Sequence, residues 1–186
     1  MTNIFLETKR LYIRSMDDSD YDLVKQIYDE DPFVQSQKGG SQLYGYLIKD
    51  HWREVTLSNT LNAMIFEKST NDFCGRICMQ RTDAEYPELG IELLKKKQNQ
   101  KIGPEAIVAF ANWYSTTYDV HTIHIKIEED NLHSRHIFEK LGALYEGREL
   151  LLPKSTIQKI EEFFPDFNRE KLEEKAPFLL SLKLPI

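Results

Sequence analysis

Residues 88 to 127 constrain this chain more than any other segment. "ELGIELL" is an apolar run of strand length, and the turn-like stretch "KKKQNQKIGPEA" follows it at 95 to 106. From about Pro104, Ala106, Ile107, Phe110, Trp113, Tyr114 and Thr117 recur at helical spacing and mark one face. Pro104 suits a first helical turn, where its missing N–H would be unpaired anyway. "VHTIHIKIEE" then alternates Ile123, Ile125 and Ile127, the period of a half-buried strand. Strand, helix and strand in succession predict a parallel strand pair joined by a right-handed crossover. Ligands of such sheets bind where parallel strands part, at their carboxyl ends. The lysine-rich turn lies at that end of its strand.

The remaining segments read as an α+β order. "LETKRLYIRSM" sets Leu11, Ile13 and Ser15 against Tyr12, Arg14 and Met16, and predicts a first strand. "DDSDYDLVKQIYDED" has early acids suited to a helix N-terminus, with Tyr21, Val24, Ile27 and Tyr28 on one face. "SQLYGYLIKDHW" predicts a second helix, interrupted in propensity by Gly45. "LNAMIFEKSTNDFCGRICMQR" predicts a hairpin turning at "STND". "SRHIFEKLGA" predicts a short helix stopped by Gly142, "ALYEGREL" a strand, and "FLLSLKL" a last strand. Between them, "STIQKIEEFF" and "NREKLEEK" predict two short helices broken by Pro165, in an atypical insert at about 153–175.

The 186 residues suit one domain with a sizeable core. No run of about 18 apolar residues predicts a membrane span, and the N-terminal residues lack an apolar signal core, so the expected location is cytoplasmic. The net charge of -6 argues against nucleic acid as the main partner. Cys74 and Cys78 fall four apart on a predicted strand, roughly 13 Å at about 3.3 Å per residue. That is too far for a disulfide, so both are expected as structural thiols. His133 and His136 share a helix, and His121 and His124 point to opposite strand faces. With no carboxylate or cysteine at ligand spacing, no metal is expected. GxxxxGK[ST], GxGxxG and GxSxG are all absent.

Two stretches carry the functional argument. A helix starting near Gly103 offers unpaired N–H groups and a positive dipole end to an anion. Lys95, Lys96, Lys97 and Lys101 would surround it with positive charge, against a solvated lysine-rich turn as the bland reading. In "EEDNLHSRHIFEKLGA", Asn131 can cap a helix whose apolar face is Ile137, Phe138 and Leu141.

Taken together, these stretches resemble the GNAT superfamily of N-acetyltransferases, in the branch of ribosomal-protein N-terminal and polyamine acetyltransferases. The family loop Arg/Gln-x-x-Gly-x-Gly/Ala is met by Gln98, Asn99, Gln100, Lys101, Ile102 and Gly103, and a "TEA"-type helix start by "PEA". The later motif N-x-x-S-x-x-x-x-E-K-L-G is met by Asn131, Ser134, Glu139, Lys140, Leu141 and Gly142. "LETKRLYIR" matches the branch's N-terminal segment, and "ELGIEL" its strand before the loop, without a gap up to "PEA". The likeness spans roughly residues 6 to 150.

This resemblance implies a mostly antiparallel sheet flanked by helices, with one parallel strand pair at an acetyl-CoA site. It implies transfer of an acetyl group directly from acetyl-CoA to an amine, with no metal. Acetyl-CoA would meet Leu93 and Leu94, the loop from Gln98 through Pro104, and Asn131 and Phe138. The amine must lose a proton before attack. Glu88 matches the strand glutamate proposed as base, and Glu92, on the same strand face, is nearer the expected thioester. Ser134 matches the serine that protonates the thiolate. A backbone N–H near Leu93 or Leu94 would hold the oxyanion. The acceptor would be a protein N-terminus, a polyamine or another small amine, and a homodimer is compatible. Two departures stand out. Phe138 replaces a frequent tyrosine, and Lys101 replaces the first loop glycine and is expected to keep a negative φ with its ammonium toward phosphate or solvent. They leave a second reading open, a non-catalytic acyl-CoA-binding or interaction protein that kept the fold.

Overall fold

The computed structural model describes residues 5–36, 42–150 and 178–186. The expected helices at 153–175 lie outside them. The chain divides into two compact units, one running through His121 and including Ile186, the other Thr122–Pro185.

The first unit is built on five strands, β1 (Phe5–Glu7), β2 (Leu11–Ser15), β3 (Thr60–Glu67), β4 (Phe73–Gln80) and β5 (Glu88–Leu93), each antiparallel to the next. Its helices are α1 (Tyr21–Tyr28), α2 (Pro32–Ser36), α3 (Gln42–Val55) and α4 (Ile102–Tyr118). Period-two alternation gives the sheet two apolar faces. Met64, Phe66 and Phe73 join Val24, Val55 and Leu94 in one buried cluster, with Leu23, Ile27 and Trp52 packed on it. Helices α1 and α3 therefore cover that face. Leu11, Ile13, Ile65, Ile77 and Met79 point the other way and are also fully buried. Helix α4 covers them, packing across β1, β2, β4 and β5 through buried Ala106, Ile107, Phe110 and Tyr114. α3 continues through Gly45, whose helical penalty of about 1 kcal/mol is offset by that packing.

Two local devices set the frame. Asp20 is 1% exposed and receives the Arg14 guanidinium as a fork at 2.7 and 2.6 Å. It also accepts the Asp17 N–H at 2.9 Å, closing a reciprocal cap ahead of α1. Gly75 sits where β4 passes β5 so closely that a Cβ would lie 2.1 Å from the Glu92 carbonyl oxygen. Only glycine fits there.

The second unit contains β6 (Thr122–Glu128), α5 (Leu132–Lys140), β7 (Leu144–Leu150) and β8 (Phe178–Pro185). β8 pairs antiparallel with both β6 and β7. Ile123, Ile125 and Ile127 stand opposite Leu184, Leu182 and Leu180 on one buried face. α5 ends as the sequence predicts. Gly142 adopts φ 95°, and the N–H groups of Gly142 and Ala143 return to the carbonyls of Glu139 and Phe138 at 3.0 and 2.9 Å. No helix among the described residues is long and apolar enough to cross a membrane.

Candidate functional site

The site is built at the carboxyl end of β5. Leu94 donates its N–H to the Cys74 carbonyl at 3.0 Å, so that amide is already engaged by β4. Hydrogen-bonded and open pairs alternate along an antiparallel ladder. The next pair, Leu93 with Gly75, is therefore open, and the Leu93 N–H points to the edge of β5 away from β4. Of the two amides proposed for the oxyanion, Leu94 is spent on β4 and Leu93 faces the opposite side of the strand.

Beyond Leu94 the chain makes one 3-10 turn, Lys95–Lys97, and then the loop that enters α4. The lysine-rich turn does not present four cations to a ligand. Lys97 is 8% exposed and clamps Glu67 and Asp72 at 2.9 Å each. Lys95 donates its N–H and its ammonium to the Glu30 side chain and carbonyl, both at 2.7 Å. Among the described residues, the ammonium groups of Lys96 and Lys101 have no hydrogen-bond partner. Polar side chains of the loop are spent on the loop itself. Gln98 Nε2 donates to the Leu93 carbonyl at 3.0 Å, and Gln100 Nε2 to the Lys96 carbonyl at 2.7 Å.

The backbone supplies what the side chains do not. Asn99 and Lys101 both adopt left-handed conformations, φ 59° and 61°. The expectation of a negative φ at Lys101 is thus overturned. Lysine keeps the conformation that glycine would have taken freely, and gives up only the bare backbone. A left-handed residue followed by a helical one turns consecutive N–H groups into one concavity, a nest for anions. Among the described residues, none of the N–H groups from Asn99 through Gly103 has a hydrogen-bond acceptor. A Cβ at Gly103 would meet Leu93 Cδ1 at 3.6 Å, an ordinary contact. Packing does not require this glycine; it leaves the first turn of α4 bare. Ile102, at 1% exposure, anchors the turn in the core.

On the strand itself, Glu88, Gly90 and Glu92 share the sheet face covered by α1 and α3. Arg76 is 4% exposed and gives Glu92 Oε2 two N–H donors, at 2.9 and 2.6 Å. Its third contact is Asn62 Oδ1 at 2.6 Å. Glu92 is thus committed to neutralising a buried guanidinium, with its side chain 41% exposed. Glu88 lies at the other end of the strand, its side chain 18% exposed and 3.8 Å from Arg81 Nη1. His51 of α3 stacks on Tyr28 at 4.1 Å. Its Nε2 is buried without a hydrogen-bond partner among the described residues. Burial lowers the His51 pKa below the ordinary 6.5, with Arg76 adding to the effect and Glu92 opposing it. An open cleft of about 320 Å³ between α1, α2 and the loop is lined by Gln26, Asp29, Glu30, Gln35, Leu94 and Lys96.

Asn131, Ser134 and Phe138 belong to the second unit. Asn131 Oδ1 accepts the Ser134 N–H at 3.1 Å and caps α5. Phe138 is 4% exposed and is a core residue. The Ser134 hydroxyl has no hydrogen bond among the described residues. Sequence reasoning missed Arg10, Glu30, His51, Asn62 and Arg76. Arg10 and Glu105 lay in plain view inside the two quoted motifs, but nothing in linear spacing tells that they touch. No group of three metal-ligating side chains occurs among the described residues.

The acetyltransferase (GNAT) domain family matches residues 10–144, and the chain belongs to that family. Solved structures share the fold. An acetyltransferase of the GNAT family from Bacillus anthracis is 18% identical, with 98% of each chain covered and a TM-score of 0.67. Spermidine N-acetyltransferase from Vibrio cholerae, solved with CoA and spermine, is 14% identical, with 96% of each chain covered and a TM-score of 0.64. At such identities the likeness speaks for the fold alone. No curated protein matches the sequence at a significant level.

Proposed function

We propose that this protein is an acetyl-CoA-dependent N-acetyltransferase that passes the acetyl group directly to an amine. The carrying observation is the run of N–H groups from Asn99 through Gly103 that have no acceptor among the described residues, at the mouth of α4, in a chain of the GNAT family. Converging amides at a helix N-terminus fit a pyrophosphate, with the Lys101 ammonium in reach as a point charge. The Leu93 N–H, directed away from β4, supports a place for the thioester carbonyl and the charge that develops on it. Glu88, which matches the family's strand glutamate, is the candidate base for the ammonium of the acceptor, while Glu92 accepts two N–H groups from Arg76. Ser134, with its hydroxyl uncommitted, returns a proton to the departing thiolate. The acceptor is a small amine, a polyamine or a protein N-terminus. The spermine-bound relative supports the polyamine class.

Acetyl-CoA at millimolar concentration should raise the melting temperature, since a ligand selective for the native state stabilises it. Thiol release from acetyl-CoA should then follow with at least one member of a panel of polyamines, peptides with free N-termini and aminoglycosides. No thermal shift would refute acetyl-CoA binding. A shift without release from any acceptor would favour the non-catalytic acyl-CoA-binding protein instead.

A further inference from the structure

Arg10 ends the "LETKR" stretch and lies 91 positions from Lys101 along the chain. Its guanidinium nevertheless reaches the loop. Nη1 donates to the Gln100 carbonyl at 2.9 Å and Nη2 to the Lys101 carbonyl at 3.0 Å. Nε and Nη2 also meet Glu105 Oε2 at 2.7 Å each. Glu105 Oε1 in turn accepts the Thr8 hydroxyl at 2.5 Å and the Arg10 N–H at 3.0 Å. One side chain therefore joins β2, two consecutive loop carbonyls and the first turn of α4.

We propose that Arg10 is the positioning residue of the anion cradle, holding Lys101 left-handed so that the loop amides face the pyrophosphate. The inference rests on the acetyl-CoA reading above. In a planar trans peptide the C=O of one residue points opposite to the N–H of the next. Fixing the carbonyls of Gln100 and Lys101 toward Arg10 fixes the N–H groups of Lys101 and Ile102 in the opposite direction. That is the direction in which those amides have no acceptor among the described residues. The same two bonds explain how lysine occupies a conformation that L-residues other than glycine avoid. Where glycine would supply it by permissiveness, an arginine from the β1–β2 turn supplies it by constraint, and Glu105 and Thr8 hold the arginine's angle. The planar fork matters, because an ammonium cannot span two carbonyls in this geometry.

CoA titration by calorimetry on the full chain separates this from a general structural role. Arg10→Ala should weaken CoA binding about 5- to 30-fold, the population cost of a left-handed residue that is no longer held. Lys101→Gly alone should lose only the contribution of its ammonium, and it sets the reference for the double variant. The double variant Arg10→Ala/Lys101→Gly should recover most of the loss, because glycine takes the left-handed conformation without help. Arg10→Lys, which keeps the charge and can still pair with Glu105, should weaken binding as the alanine does; it keeps the test decisive if Arg10→Ala does not fold. Wild-type affinity in Arg10→Lys, or a double variant no tighter than Arg10→Ala, overturns the inference. Absence of CoA binding by the wild-type protein overturns the reading beneath it.

Discussion

Replacing Lys97 with methionine tests whether the lysine-rich turn is structural. Methionine keeps the unbranched length of the stem and removes the ammonium. Lys97 Nζ lies 2.9 Å from both Glu67 Oε2 and Asp72 Oδ2, with only 10% of its side chain exposed. It ties the turn after β5 to both ends of the β3–β4 hairpin. A hydrogen bond to a charged partner contributes about 1.5–3 kcal/mol. The Glu67 pair is the sheltered one, at 23% exposure, while Asp72 is 53% exposed and adds little beyond it. A loss of about 2 kcal/mol follows, since the two acids then face one another without a cation. For a chain of this size that lowers the melting temperature by about 4–8 °C at pH 7. Acid should narrow the difference. Hydrogen bonds from Lys97 and from Thr70 hold the Asp72 carboxyl below its ordinary value of 3.8. Its contribution is complete above that value and is lost as pH falls through the depressed folded value. The Asp72 share of the gap should therefore be constant from pH 7 to about pH 5 and fade below pH 4. Thermal melts across that range by circular dichroism measure it. A Lys97→Met protein that melts within about 1 °C of wild type at pH 7 would show that these pairs are solvated ornaments, and that the turn is held by its backbone alone.

Further predictions concern the strand and its cover. Glu88→Gln should lower turnover about 100-fold or more at neutral pH while leaving CoA affinity unchanged; undiminished turnover would transfer the base role to Glu92. His51→Phe should flatten the acid limb of stability. Burial depresses the wild-type imidazole below 6.5, so native protein loses stability as pH falls from about 6.5, where the unfolded chain takes up the proton first. Equal slopes in melts from pH 7 to pH 5 would remove His51 from that account. Gly75→Ala should cost about 3 kcal/mol, because the new methyl meets backbone atoms of Glu92 and Leu93 that cannot yield without parting β4 from β5. An unfolding free energy within about 0.5 kcal/mol of wild type would show that the two strands separate at little cost.

Periodicity alone placed most of the elements. The alternation of Ile123, Ile125 and Ile127, the helical stripe from Ala106 to Tyr114 and the glycine stop at Gly142 are local signals, and local chemistry decides them. α2 escaped notice because five residues are too few to show a period. The loop from Gln98 to Gly103 was legible as an anion site, but its conformation at Lys101 was not. Local preference favours a negative φ for lysine, and Arg10, in the distant turn between β1 and β2, bonds the carbonyls on either side of it.

Sequence by itself determined most of the strands and helices, and that a helix N-terminus follows β5 with a glycine in its first turn. Those outcomes depend on neighbours three or four positions away. Tertiary structure alone decided which charges are available. Lys97, Lys95, Arg76 and Arg10 read identically in a string of letters, as cations near acids. The fold binds Lys97 to Glu67 and Asp72, Lys95 to Glu30 and Arg76 to Glu92, and turns Arg10 onto two carbonyls. Electrostatic partners are set by distances through space between residues far apart in the chain, and no pattern of spacing encodes them.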